Sequence, residues 1–163
     1  LHAEVDLGRD AACNRFLQNK TAPLITLDIL VSQDLYIDTA RILIIEESAL
    51  LRQMSVNMVE ELGLIAQSVS TVEEAIWRLT ERNFDIVLLE VKAPERTAVA
   101  RVEAMRRAIS SMHEKKVPLV AMSAGVKRGP LLGAGADDIL MRPFMVGELE
   151  ALIDRWLSPG AIV

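Results

Sequence analysis

The chain has 163 residues, 51% hydrophobic and 25% charged, with a net charge of −5. That leaves room for one ordinary globular domain plus an extension, and the acidic balance excludes a broad basic surface for nucleic acid phosphates. A lone cysteine, Cys13, excludes an internal disulfide and suits a reducing compartment; no apolar stretch approaches bilayer-spanning length and the start lacks a signal-peptide layout, so a cytoplasmic module is the default expectation.

In chain order, residues 1–39 show no steady period until Leu24–Val31, which suits strand or helix, with Pro23 fit for a helix start. They are expected to be an extension or linker from a preceding domain, an expectation that the initial Leu1, in place of a methionine, also prompts. From residue 41 short continuous apolar runs alternate with helix-length amphipathic segments. Continuous runs suit strands covered on both faces, as in a parallel sheet. Ile42–Ile45 is followed by a helix over Ala49–Leu62, with Leu50, Leu51, Met54, Met58, Val59 and Leu62 on one face and Gly63 as its stop.

Ile65–Val69 is the next strand. Ser70 or Thr71 then offers an N-cap, with Glu73 or Glu74 three residues on, and Ala75, Ile76 and Leu79 form the buried stripe of that helix, which Asn83 helps close. Strand Ile86–Leu89 leads through Pro94 to a helix near Ala98–Met112, and strand Leu119–Met122 follows Pro118. Gly125, Gly129, Pro130, Gly133 and Gly135 crowd the next stretch, so any helix there is brief. Strand Asp138–Met141 precedes a last helix over Val146–Leu157, with Leu149, Leu152, Ile153 and Trp156 facing inward. The expected fold is α/β, a doubly wound five-stranded parallel sheet of β–α units at residues 40–158, with an N-terminal extension and a tail at 159–163.

The strand ends carry the chemistry. The first ends in Glu46-Glu47-Ser48, the third in Glu90, the fourth in Ser123 and the fifth in Arg142-Pro143. Neighbouring parallel strands would bring these groups to one edge, where open α/β sheets place ligands. Taken singly, each acid is a solvated strand end and Ser123 a hydroxyl capping the following turn; the shared edge favours a common cluster. Arg142 reads as an ion-pair partner whose backbone Pro143 fixes, with a cis bond open to it. His2 and His113 lack metal-ligand spacing. Met54, Met58, Met105 and Met122 suit core or helix packing, and Lys127-Arg128 is too short for a nucleic-acid patch.

Residues 41–157 resemble the CheY-like receiver domain of response regulators, the phosphoacceptor module of two-component signalling. The resemblance rests on Ile44-Ile45-Glu46-Glu47-Ser48 with Arg52, Asp85-Ile86-Val87-Leu88-Leu89-Glu90 with Pro94, Val117-Pro118-Leu119-Val120-Ala121-Met122-Ser123-Ala124, and Gly135-Ala136-Asp137-Asp138-Ile139-Leu140-Met141-Arg142-Pro143-Phe144. It implies a flavodoxin/CheY-like (βα)5 fold. It also implies that Glu46 and Glu47 form the acidic, metal-binding pocket, that Glu90 stands at the phosphoacceptor position, that Ser123 is the switch hydroxyl, that Arg142 replaces the lysine and that Ile139 replaces the switch aromatic.

Several residues depart from the family pattern. The acceptor is glutamate where the family has aspartate, Ala98 stands where a glycine is expected, and the Ser123–Gly135 connection is about three residues short against the family's spacing. Each added methylene moves a carboxylate by roughly 1 Å, enough to cost about a hundredfold in a well-aligned site. Arginine offers a planar fork suited to holding a carboxylate, and Glu90 is the partner expected for it. Three carboxylates, Glu46, Glu47 and Glu90, could still hold Mg2+ or calcium, although Arg142 competes for them.

The expected function is therefore a pseudo-receiver signalling module, not an enzyme, with no cofactor required and Mg2+ the one to test. It would act by phosphorylation-independent interaction with a protein partner (a sensor kinase, phosphotransfer protein or downstream regulator), with no nucleic acid or membrane role and with a homodimer compatible. Two alternatives stand beside it: a working receiver phosphorylated at Glu90 by a histidine kinase, and a degenerate receiver sensing a nucleotide second messenger through its pocket or the Lys127–Arg128 loop.

Overall fold

The structure is a computed structural model that describes residues 39–112 and 116–157. The expectations for residues 1–38, including His2, Cys13 and Leu24–Val31, for His113, and for the tail at 159–163 fall outside them. The compact unit begins at Ala40. Its elements are β1 (Arg41–Ile45), α1 (Ala49–Glu61), β2 (Ile65–Val69), α2 (Val72–Glu81), β3 (Ile86–Lys92), α3 (Glu95–Met112), β4 (Leu119–Ala124), α4 (Arg128–Gly133), β5 (Asp138–Met141) and α5 (Val146–Leu157).

All strands pair in parallel in the order β2-β1-β3-β4-β5. The chain thus steps outward from β1 to β2, then crosses back to β3 and builds the other side. The crossing lies between β1 and β3, the switch point at which doubly wound sheets open a crevice beyond the strand ends.

Side chains of β1, β3 and β4 alternate with period two and are buried on both sides of the sheet. Leu43, Ile45, Val87, Leu89, Leu119 and Ala121 pack beneath α2, α3 and α4 through Ala75, Leu79, Val102, Met105 and Leu131. Ile42, Ile44, Ile86, Leu88, Val120 and Met122 pack on the other face against Val59 of α1 and Leu149, Leu152 and Ile153 of α5. The third strand runs farther than the apolar run predicts, through Glu90 to Lys92, and α3 begins at Glu95.

Helix ends follow local chemistry. The α2 N-cap is Thr71, whose hydroxyl accepts from Glu74 N–H at 3.2 Å, while the Glu74 carboxylate reaches back to Ser70 N–H at 3.1 Å. After α1, Gly63 takes φ 76°, and Gly63 and Leu64 N–H groups donate to the Glu60 and Val59 carbonyls, the double closure that a left-handed residue permits.

One helix face differs from expectation. Leu50, Leu51 and Met54 of α1 are exposed, whereas Ser55 and Val59 are buried and Val56, Met58 and Leu62 pack partly against the core. The helix thus turns its Ser55–Val59 side to the sheet and its Leu50–Met54 side outward. The core role expected for Met54 fails for the same reason, while Met105 and Met122 are fully buried.

Candidate functional site

The site lies at the C-terminal edge of β1, β3, β4 and β5. Residues Ile44, Leu88, Met122 and Leu140 belong to the α1–α5 face. Two residues farther along their strands, the same alternation leads to Glu46, Glu90 and Arg142. The register holds these ends together: Ile45 is level with Leu89, Glu90 with Met122, and Ser123 with Met141. The sheet therefore brings the strand ends that carry the acids, Ser123 and Arg142 to one edge.

Glu46 is almost wholly buried, at 1% exposure, and its Oε1 accepts from Ser48 N–H at 2.9 Å. Its Oε2 lies 2.7 Å from Arg142 Nη2. No hydrogen bond reaches that oxygen, so the pair is held by charge and not by a well-directed N–H. The guanidinium also lies 5.5 Å from the Phe144 ring centre, and its Nη2 is 3.8 Å from Met122 Sδ. The peptide bond before Pro143 is cis.

This corrects one expectation. Arg142 pairs with Glu46, not Glu90. Its length carries the fork past Met122 to the end of β1, and a different cation serves the acceptor position. Lys92, two residues beyond Glu90 on the same strand, places Nζ 3.6 Å from Glu90 Oε1 and 2.5 Å from Glu47 Oε2. The Glu90 side chain is only 9% exposed, whereas Lys92 and Glu47 are about half exposed at 56% and 54%. The hydrogen bond and charge of Lys92 hold the Glu47 carboxyl below its ordinary range, and Glu47 and Glu90 push the Lys92 ammonium up.

Around these groups the backbone is also fixed. Arg52 of α1 donates from Nη1 to the Glu46 and Glu47 carbonyls at 2.8 and 3.2 Å. Ser123 is fully buried and donates to the Val126 carbonyl at 2.9 Å, which is the turn-capping role. Ile139, at the switch-aromatic position, is a core residue on the opposite face of the sheet. Lys92 is the residue that the strand-end pattern missed. Its signal was available, since it follows Glu90 by one strand period.

A divalent cation needs carboxylate oxygens turned to a shared point. Here Glu46 is turned to Arg142, while Glu47 and Glu90 share the Lys92 ammonium. Among the described residues no group of three or more His, Cys, Asp or Glu is placed to hold a metal ion. In this arrangement the oxygens of Glu46, Glu47 and Glu90 are not turned to one point.

Comparison with known proteins gives this edge its class. Residues 42–154 match the response regulator receiver domain. The chain belongs to that family and carries a receiver domain of a two-component system. It is 28% identical over 123 residues to the two-component response regulator PhoP of Pseudomonas aeruginosa, covering 72% of this chain and 51% of that protein. It is 29% identical over 125 residues to the phosphate regulon transcriptional regulatory protein PhoB of Escherichia coli, covering 75% and 55%. With the sensor protein GacS of Pseudomonas syringae pv. syringae the figures are 24% over 151 residues, 89% of this chain and 17% of the relative. The chain thus spans about half or less of the curated relatives it matches.

The fold is that of Vibrio cholerae CheY4, with a TM-score of 0.63 and 22% identity over 73% of this chain and 99% of that one. It is likewise that of the receiver domain of sensor histidine kinase PA1611 from Pseudomonas aeruginosa, described with a magnesium ion in its active site cleft. The TM-score there is 0.57, with 23% identity over 72% of this chain and 97% of that one. No helix among the described residues is long and apolar enough to cross a membrane.

Proposed function

We propose that this receiver domain works as a standing docking module in a two-component system, binding a protein partner without being phosphorylated and without acting as an enzyme. The observation that carries the reading is the occupation of its acids: Arg142 sits on buried Glu46 and Lys92 on Glu47 and Glu90. Transfer of a phosphoryl group to a carboxylate depends on positioning and on cations free to meet the incoming charge. In this site the cations are already committed, the acceptor-position carboxylate is 9% exposed, and Ser123 is bonded inward. The negative charge of Glu90 stands where a phosphorylated acceptor would carry it.

The partner is a protein of the same signalling pathway: a sensor kinase, a phosphotransfer protein or a downstream regulator. Its docking face is the one around β5 and the last helix, where Leu132, Met141 and Met145 are 41%, 44% and 72% exposed. No nucleic acid and no lipid surface is needed for this role, which suits a cytoplasmic protein. Incubation of the chain with acetyl phosphate and Mg2+, followed by intact-mass spectrometry, tests the reading. No phosphoryl adduct is expected; a stable adduct that Glu90→Gln removes would replace docking by a working receiver.

A further inference from the structure

We propose that Lys92 is the resident cation of this domain: its ammonium holds the position between Glu47 and Glu90 that a divalent ion would need, and removing it creates a Mg2+ site. The inference deepens the docking reading and rests on it for its signalling sense.

The argument is one of charge and place. Glu46, Glu47 and Glu90 bring three negative charges to one sheet edge. Like charges gathered at one edge repel one another unless cations lie between them. Arg142 answers Glu46 alone, from the β5 side. The remaining two acids come from the ends of different strands, β1 and β3, and among the described residues Lys92 is the cation that bridges them: Nζ is 2.5 Å from Glu47 Oε2 and 3.6 Å from Glu90 Oε1. An ion bound by both carboxylates would have to sit in that gap. The lysine is delivered there by its own backbone, two positions past Glu90 on the same strand, so it arrives without the loss of a solvated ion's freedom. Lysine suits the task because its ammonium is a compact point charge with three rotatable donors.

The gap also sets the consequence of removing the side chain. Lys92→Ala leaves Glu47 and the little-exposed Glu90 facing each other across a space without a cation, the arrangement that favours a hard divalent ion with oxygen ligands. Lys92→Arg keeps a positive charge in place and keeps the gap closed.

Thermal unfolding of the full chain, with MgCl2 compared against NaCl of equal ionic strength, tests this, because an ion that binds only the folded form raises the melting temperature saturably. The wild type is expected to show no saturable Mg2+ effect, whereas Lys92→Ala gains one, with binding at least about tenfold tighter than wild type. Mn2+ in place of Mg2+ should broaden amide signals near Glu47 and Glu90 in the variant only. Saturable Mg2+ binding by the wild type overturns the proposal on its own, as does a folded Lys92→Ala variant that stays indifferent to both ions. Should Lys92→Ala fail to fold, Lys92→Gln carries the same two outcomes. The result is separable from the docking reading: a wild type that binds Mg2+ yet takes no phosphoryl group contradicts only the role of Lys92. One that is phosphorylated without binding Mg2+ contradicts only docking.

Discussion

The two cations at the sheet edge differ in what they contribute, because their partners differ in burial. Arg142 meets a carboxylate that is 1% exposed, and its own side chain is 14% exposed. Deleting one partner of such a pair leaves an uncompensated buried charge, which costs about 3–5 kcal/mol. Arg142→Met is therefore expected to destabilise the domain by about 3 kcal/mol in urea unfolding. Glu46→Gln combined with Arg142→Met should recover much of that loss, since neither charge then remains buried. A double variant as unstable as the sum of the singles would show that the two side chains do not act as a pair.

The Lys92–Glu47 pair is half exposed, so it is weakened by salt and adds little to stability. Its signature is titration. The folded Glu47 carboxyl lies below its ordinary 4.5, so the stabilisation is present above that value and is lost as pH falls through the folded value. The Lys92 ammonium lies above its ordinary 10.5, so its share is present below that value and is lost as pH rises through the folded one. Carboxyl NMR should place the Glu47 midpoint below 4.5, and Lys92→Ala should return it upward. An unmoved midpoint in that variant would deny the pairing.

At the scale of elements, two acids at the start of β5 bind their neighbours together. Asp137 accepts from Leu119 N–H at 2.8 Å, pairs with Lys116 at 2.9 Å and meets Arg106 of α3. Asp138, buried at 7% exposure, accepts from Trp156 Nε1 at 3.2 Å and faces Arg155 at 3.3 Å and Arg128 at 3.5 Å. It thereby ties α4, β5 and α5, the elements of the proposed docking face. Arg128 also donates to the Ile139 carbonyl at 3.2 Å. Asp138→Ala should cost about 1–3 kcal/mol, through the Ile139 N–H and Trp156 Nε1 that lose their acceptor. It should also speed amide exchange across α4 and α5; protection unchanged in both helices would remove the tie.

Gly135 adds a second constraint. Its φ is +108°, and a Cβ there would lie 2.8 Å from Arg106 Cγ. Arg106 Nε in turn donates to the Gly135 carbonyl at 2.8 Å. Gly135→Ala is expected to lower stability by about 1–3 kcal/mol through strain and displacement of that arginine. The glycine crowding near 125–135 correctly predicted a brief helix, here α4 over Arg128–Gly133. The face of α1 was harder to read. Leu50, Leu51, Met54 and Met58 fit a helical stripe as well as Ser55, Val59 and Leu62 do, and periodicity cannot choose between overlapping stripes. The buried side holds Ser55, a residue that hydropathy does not mark.

For the whole molecule, the alternation of apolar runs and amphipathic segments was enough to predict the parallel sheet, its five strands and the edge where the acids meet. Both faces of the strands are covered, and that demand leaves a simple imprint on sequence. The site was legible as a set of residues but not as a set of pairs. Lys and Arg have long, flexible stems, so strand position limits their reach without naming the carboxylate they choose. Hence Arg142 went to Glu46, and Lys92, two residues beyond the acid at the predicted strand end, took the other acids. Together these pairs set two cations against the three acids of the edge.

The central claim is that the docking face is held in one arrangement, and backbone amide NMR of the full chain with acetyl phosphate and Mg2+, against a sample with matched salt alone, tests it most directly. The signals of α4, β5 and α5 are predicted to coincide in the two samples. A second set of signals on those elements, growing with donor and absent in Glu90→Gln, would contradict it.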